Sequence, residues 1–259
     1  MIGMSQVQAE VRVLHDAMTE RQRLAAAYRI VDHLGWCETI YGHLTLRAED
    51  NADHFLINPW GLRYDEVTAT NLLEIDHDGN KVSGPDYPVN KPGFVIHSAI
   101  HGARPDINCI IHTHTVAGMA VAAQKEGLLP VSMPGTGFWG QVAYHNYEGP
   151  SMNLGERERL VASLGNKNTM ILRNHGILTC GKSVEEAFIL MFRLQRACEV
   201  QIAAQSGGAE LVTPSNGVLE QSVQLTKDFL KNNDGLPAGK LEFDSYVRLM
   251  DKNDPSFRL

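Results

Sequence analysis

The chain has 259 residues, of which 43% are hydrophobic and 20% charged, an ordinary composition for a globular protein. Its formal charge of −7, with no compensating basic stripe, argues against a phosphate-backbone partner, so no nucleic-acid binding is expected. No run of about 18 apolar residues is present, which excludes a membrane-spanning helix and leaves no expected membrane partner.

The N-terminal residues contain no basic cluster followed by an apolar block, so we expect no signal peptide. The four cysteines lie far apart and form no CxxC pair. A pattern of this kind is typical of a reduced protein, since disulfides and CxxC metal sites both need closer or paired thiols. We therefore predict a cytoplasmic location.

Helices and strands alternate in the predicted order of elements. Hydrophobic periodicity and turn residues predict a helix at 8–34, strands at 43–47 and 54–61, a hairpin at 72–82, a helix at 90–106, a strand at 107–114, helices at 115–127 and 153–165 (the second capped by Asn153), a strand–turn–strand unit at 169–181, a long helix at 183–208 and one or two helices between 215 and 250. The pattern predicts a single mixed α/β domain over residues 1–259, with a helical C-terminal extension.

The segment "CIIHTHTVAG", residues 109–118, places two histidines two residues apart on a predicted strand. Alternate residues of a strand point to the same face, so His112 and His114 are expected to lie side by side. Two neighbouring imidazoles suit the ligation of one divalent ion. Cys109 is an odd number of residues from His112 and is expected on the other face. A solvent-facing or core-packed pair of histidines explains the spacing equally well.

Other histidines are needed for a complete site, because zinc takes three or four ligands. His175 lies at a predicted tight turn, where Gly176 permits an unusual backbone angle. His97 and His101 share one face of a predicted helix. The second pair suits either its own metal site or, as we favour, one packed and one exposed side chain.

Four segments, in this order, resemble the class II aldolase/adducin family over about residues 21–205. They are "YGHLTLR", "INPWGLRYDEVTATNL", "NKPGFVIHSAIHGARPDINCIIHTHTVAGMAVAA" and "LRNHGILTCG". The resemblance implies a three-layer α/β/α domain around a central, largely antiparallel mixed sheet, followed by the extension at 206–259. It also implies a metal bound by His112, His114 and His175, with zinc favoured over manganese or iron, and a homotetramer.

The chain departs from the aldolase pattern in its substrate region. The position of the family's catalytic glutamate is Gly93, which has no side chain to bind metal or move a proton. The substrate positions of the family correspond to His43, Trp60, Gly61 and Lys91. Lysine and indole suit a carboxylate or an aromatic acid better than a phosphorylated sugar, although solvation of the lysine and packing of the indole explain them as well.

Two functions from different classes remain open at this point. The first is a metal-dependent lyase that breaks a carbon–carbon bond of a small hydroxy-carbonyl or carboxylate substrate through an enediolate, by aldol cleavage or decarboxylation. The missing glutamate tilts the expectation towards decarboxylation, and proton donors are sought in a loop that contains Tyr144, His145 and Tyr147. The alternative is an adducin-like interaction or scaffold domain with a vestigial metal site.

Overall fold

The computed structural model describes residues 18–149, 155–231 and 236–259, apart from the side chains of residues 91–93. The helices of this part of the chain are α1 (Glu20–His33), α2 (Lys91–Ala103), α3 (Val116–Ala122), α4 (Met133–Thr136), α5 (Glu156–Leu164), α6 (Val184–Ser206), α7 (Asn216–Lys231) and α8 (Lys240–Asn253). Its strands are β1 (His43–Arg47), β2 (His54–Ile57), β3 (Leu73–Asp76), β4 (Lys81–Ser83), β5 (Cys109–Thr113), β6 (Ala143–His145), β7 (Thr169–Leu172) and β8 (Gly176–Gly181). No helix among these residues is both long and apolar enough to cross a bilayer.

The strands form one eight-stranded sheet in the order β4-β3-β2-β1-β5-β8-β7-β6. Every neighbouring pair is antiparallel except β6 and β7, which are parallel. Strand β5 lies between β1 and β8 and is buried along its whole length. A strand buried on both faces reads as a nearly continuous apolar run, which "INCII" is.

Helices cover both faces of the sheet. On one face, α1, α3, α6 and α8 pack on alternate strand residues such as Cys109 and Ile111. On the other face, α2 and α5 pack on the intervening residues, of which Ile110 is one. The structure is therefore the predicted three-layer α/β/α arrangement around a largely antiparallel mixed sheet. Cys109 lies on the face opposite Ile110, as the strand alternation predicts.

Most predicted elements are present, and the differences fall at their ends. The helix predicted at 8–34 is seen as α1, and its residues 8–17 lie outside the described part of the chain. Asn153, the predicted cap of the helix at 153–165, also lies outside it, and α5 begins at Glu156. The helix predicted at 115–127 ends at Ala122. Two short elements were not predicted. Strand β6 has only three residues and helix α4 only one turn, so neither carries a periodic pattern.

The C-terminal extension consists of two helices that differ in their packing. Phe243 of α8 is fully buried against Phe188 of α6, with ring centroids 5.6 Å apart, so α8 belongs to the core. Helix α7 buries only Leu219 and Val223. The predicted extension is therefore half core and half surface.

Candidate metal centre

Two histidines lie at the C-terminal end of strand β5. His112 is fully buried near the end of the strand, and His114 is half-buried directly after it. Thr115 ends the strand, because its hydroxyl accepts a hydrogen bond from Gly118 N and caps α3. Its Oγ1 also donates to Gln195 Oε1 of α6 at 2.6 Å, which fixes the chain just after His114.

The hairpin turn between β7 and β8 brings His175 to the same place. The left-handed backbone angle of this turn is at Asn174, with φ of 56°, and not at Gly176 as predicted. Gly176 is needed for a different reason. A Cβ atom at this position would lie 2.5 Å from the carbonyl oxygen of Thr113, so only glycine lets the hairpin lie this close to β5.

The three imidazoles converge through their Nε2 atoms. His112 Nε2 lies 2.8 Å from His114 Nε2 and 3.3 Å from His175 Nε2. His114 Nε2 and His175 Nε2 are 3.0 Å apart. Within the described residues this is the single cluster of three or more side chains that could hold a metal ion.

Acceptors behind two of the rings fix which nitrogen faces the cluster. His112 Nδ1 lies 3.0 Å from the carbonyl oxygen of Ile177 and must donate to it. His114 Nδ1 lies 2.8 Å from a carboxylate oxygen of Glu38 and donates in the same way. In the neutral form of each ring, Nε2 then presents a lone pair to the centre. A carboxylate or carbonyl behind a ligating histidine is the usual arrangement in metal sites.

The protonation state of these rings also suits a metal. Burial, followed by the neighbouring imidazoles His114 and His175, lowers the pKa of His112 far below its usual value. Burial and His114 lower the pKa of His175 to about 4. Both rings are neutral at pH 7, and a neutral imidazole is the form that binds a metal.

The spacing of the nitrogens fits a metal ion. Lone pairs that point at one another repel unless a proton or cation lies between them. Tetrahedral zinc with Zn–N bonds of about 2.0–2.1 Å separates its nitrogens by about 3.3 Å. The observed separations of 2.8–3.3 Å are close to that value. The residues present can therefore hold a divalent cation through three imidazole nitrogens.

A second group of buried histidines adjoins the triad on the α2 face. His43 of β1 is the register partner of His112, and their ring centroids are 5.3 Å apart. The centroid of His97 lies 4.1 Å from that of His43. Thr45 Oγ1 then links His97 Nδ1 at 2.7 Å to His101 Nε2 at 2.9 Å. Both helix histidines are buried, so the expectation that one of them is exposed was wrong.

His43 is the predicted substrate residue that the structure places nearest the triad. It is 4% exposed, and its Nε2 has no hydrogen-bond partner in the described part of the chain. Burial, then His114 and His175, lower the pKa of His43 to about 3, so the ring is neutral. The unpartnered Nε2 of this neutral ring lies beside the triad and can exchange a hydrogen bond with a bound molecule.

The other predicted substrate residues lie on segments around the site. Trp60 packs on Tyr41, with ring centroids 5.9 Å apart, and Tyr41 bridges to Glu38. Gly61 has φ of 101° and open space around it. Lys91 and Gly93 fall in the first turn of α2, where the side chains are outside the described part.

Two of the three proposed proton donors do not lie on a loop. Tyr144 and His145 belong to β6, so a mobile loop was the wrong description for them. The Tyr144 hydroxyl accepts from Leu128 N at 3.1 Å. His145 uses both ring nitrogens, on the Ser163 hydroxyl at 3.0 Å and on Glu156 at 3.2 Å.

Tyr147 follows β6 and is the donor candidate nearest the triad. Its side chain is 52% exposed, and its ring centroid is 6.5 Å from that of His175. Sequence reasoning missed Glu38, which lies 76 residues before His114. No local sequence pattern indicates that a carboxylate so far away along the chain contacts His114.

Comparison with known proteins assigns the family. The family described as "Class II Aldolase and Adducin N-terminal domain" matches residues 22–202, and the chain belongs to it. A Pseudomonas aeruginosa protein provisionally named an aldolase class 2 protein is 43% identical over 238 residues, covering 92% of this chain and 91% of that protein. Alpha-adducin of Rattus norvegicus is 42% identical over 241 residues, covering 89% of this chain and 33% of adducin.

Solved structures agree with the family in fold. An aldolase II superfamily protein from Pseudomonas syringae superposes with a TM-score of 0.86 at 45% identity, covering 93% of this chain and 95% of that one. L-fuculose 1-phosphate aldolase from Glaciozyma antarctica PI12 gives a TM-score of 0.79 at 26% identity, covering 100% and 97%. The chain therefore has the class II aldolase fold. In this structure three of its histidines converge on one point.

Proposed function

We propose that the chain is a divalent-metal-dependent lyase that cleaves a carbon–carbon bond of a small hydroxy-carbonyl or carboxylate substrate, by aldol cleavage or decarboxylation. The observation that supports this most is the convergence of three Nε2 atoms within 3.3 Å of one another. An interaction domain has no need for three imidazole nitrogens directed at one point, because a nitrogen that is kept from water without a partner costs free energy.

The proposed ligands are His112, His114 and His175, and zinc is the proposed metal. A bound divalent cation supplies Lewis acidity, which stabilises negative charge on the substrate as the bond breaks. The Glu38 carboxylate and the Ile177 carbonyl keep the rings in the orientation and tautomer that ligation needs.

The remaining groups of the site are proposed to bind and protonate the substrate. His43, with its unpartnered Nε2, exchanges a hydrogen bond with a substrate oxygen. Trp60, Gly61 and Lys91 are proposed to line the rest of the substrate site. Tyr147 is the proposed proton donor, because Tyr144 and His145 are already engaged in hydrogen bonds away from the triad.

Elemental analysis of untagged protein, purified without chelator, tests the proposal against His112→Ala. About one transition metal per chain in the wild type, lost in the variant, is the expected result. His33→Ala, at an exposed position at the end of α1, is the matched control and is expected to keep the metal. If the wild type stays metal-free after incubation with zinc or manganese, the lyase proposal fails and an adducin-like binding role replaces it.

A metal-loaded protein would then be screened for cleavage of hydroxy-keto sugars and aromatic carboxylic acids. Carbon dioxide release marks decarboxylation, and two organic fragments mark aldol cleavage. Tyr147→Phe is expected to lower turnover by about 10²–10⁴-fold, the usual contribution of a general acid. Tyr87→Phe, another exposed tyrosine, is the control.

We also propose a homotetramer, which rests on the family resemblance. Exposed apolar side chains on α7, namely Val218, Leu225 and Phe229, are compatible with contacts between subunits. Light scattering coupled to size-exclusion chromatography measures the mass directly. A mass close to one chain of 28.6 kDa would contradict the proposal.

A further inference from the structure

A large cavity lies at the end of the sheet away from the triad. Its volume is about 630 Å³, and it is lined by the segment 134–141, by residues 166–169, and by faces of α6 and α7. Thr169 begins β7 and Lys182 follows β8, whereas His175 lies in the turn between these strands. The length of β8, at about 3.3 Å per residue, places this end of the cavity about 20 Å from the turn that carries His175.

The walls of the cavity carry five cationic side chains and one carboxylate. The cations are Lys167, Lys182, Arg193, Lys227 and Lys231, and the carboxylate is Glu186. This concentration of positive charge is unexpected in a chain whose formal charge is −7. Clefts lined by one sign of charge attract ligands of the opposite sign.

The single carboxylate does not neutralise these cations. Glu186 Oε2 accepts a hydrogen bond from the backbone N of Lys182 at 2.8 Å. Lys167 is held at one side, because its Nζ donates to the carbonyl oxygen of Val142 at 2.8 Å. Among the described residues, no carboxylate lies within ion-pair distance of Lys182, Arg193, Lys227 or Lys231.

Two of the cations lie on one face of α7, and a third, on α6, lines the same cavity. Lys227 and Lys231 are four residues apart on α7, so they share a face, and like charges at this spacing destabilise a helix. Arg193 on α6 lines the same cavity and is half-buried. Burial lowers the pKa of Arg193, and the charge of Glu242 offsets this only in part. An anion in the cavity would relieve this repulsion.

The rest of the lining defines the size and chemistry of a ligand. Phe138, Leu190 and Leu230 supply an apolar wall. The side-chain oxygen of Asn168 accepts from Arg104 Nη2 at 3.2 Å, which leaves its amide N–H groups as donors. A volume of about 630 Å³ is within the range of small-molecule sites.

We propose that this cavity binds a small molecule that carries two or more phosphate groups. A single phosphate brings at most about two negative charges, whereas five cations and one carboxylate leave a surplus of four positive charges. The site is separate from the metal centre and does not depend on the proposed lyase activity.

Isothermal titration calorimetry with inorganic pyrophosphate at about 150 mM salt tests the site, with His112→Ala as the parent protein. That parent is used because pyrophosphate also binds metal ions, and loss of the triad removes this background. The expected result is one site per chain, with affinity at least tenfold weaker after Lys227→Glu plus Lys231→Glu. Lys125→Glu plus Lys252→Glu makes the same charge change at exposed positions outside the cavity, and is expected to alter the affinity less than twofold.

The outcomes separate a built site from general attraction. Equal loss of affinity in both double variants, or no binding of pyrophosphate at millimolar concentration, would overturn the proposal. Lys182→Glu, at an exposed position next to β8, repeats the test should the α7 variant unfold by circular dichroism. Titration with ADP and with inositol trisphosphate then distinguishes a nucleotide from a phosphoinositol headgroup, and tighter binding of either than of pyrophosphate supports the site.

Discussion

At the scale of single residues, the two histidines of β5 are held by different kinds of acceptor. His112 donates to a backbone carbonyl that cannot be changed by mutation, whereas His114 donates to the side chain of Glu38. Glu38 is 48% exposed on its own side chain, so it can be replaced with little effect on the core. It therefore offers a direct test of how the rings are oriented.

We predict that Glu38→Gln weakens metal affinity by about 10–100-fold while leaving the three ligands in place. The amide carries no charge to favour the Nδ1–H tautomer of His114. Competition titration of the loaded protein with a chelator measures the change. Glu49→Gln, an exposed glutamate near the end of β1, is expected to match the wild type. Equal metal affinities for Glu38→Gln and wild type would show that the Glu38 carboxylate does not contribute to metal binding.

His101 makes the stability of the fold depend on pH. Burial, then Arg47, lowers the pKa of His101 to about 3, with a further contribution from His77. The unfolded chain, with a histidine pKa of about 6.5, therefore takes up a proton between pH 6.5 and 3 that the folded chain does not. The free energy of unfolding falls as the pH falls through this window.

We predict that His101→Gln reduces that pH dependence by about one proton, or about 1.4 kcal/mol per pH unit between pH 4 and 6. Urea unfolding of metal-free protein at several pH values gives the slope. His33→Gln, at an exposed helix end, is the control. An unchanged slope in His101→Gln would show that the buried ring does not resist protonation.

At the scale of elements, the β7–β8 hairpin positions His175, the third proposed ligand. Gly176 lies against the Thr113 carbonyl, with no room for a Cβ atom. We predict that Gly176→Ala lowers metal content below one per chain although all three ligands remain, and destabilises the fold by about 1–3 kcal/mol. Elemental analysis and urea unfolding measure the two effects. Gly207→Ala, where nothing lies within 4 Å, should change neither.

Helix α8 tests whether the C-terminal extension is part of the core. Phe243→Ala is expected to cost about 3–5 kcal/mol in the free energy of unfolding, because the ring is fully buried against Phe188. Phe229→Ala on α7, where the side chain is 59% exposed, should cost far less. A loss for Phe243→Ala as small as that for Phe229→Ala would contradict the packing of α8 in the core.

The elements that could be predicted are those with a long periodic pattern. The alternation of β5 predicted that His112 and His114 share a face and that Cys109 does not, since strand geometry alone decides this. His175 was identified only through the family resemblance, because a turn 61 residues later carries no signal of spatial proximity. Glu38 was missed for the same reason. Strand β6 has three residues and pairs in parallel at the edge of the sheet, so no periodicity marks it.

At the scale of the whole molecule, the two candidate sites share one long helix. Leu190 and Arg193 of α6 line the cationic cavity. On the same helix, Met191 Sδ accepts a hydrogen bond from Thr113, and Gln195 accepts one from Thr115, so α6 also supports both sides of His114. One short stretch of the helix thus contacts both the cavity and the strand end that carries His114.

The wide separation of the three ligands along the chain has a kinetic consequence. His112 and His175 meet only after β1, β5 and β8 have paired, and such non-local pairing forms slowly. An unfolded chain offers a cation no prepared set of nitrogens, so added zinc should leave the refolding rate nearly unchanged. Because an ion bound at the proposed site would hold the closed hairpin against β5, it should instead slow unfolding, which stopped-flow measurements with and without zinc would show. The metal would then act as a lock on the finished fold and would extend the lifetime of the native state.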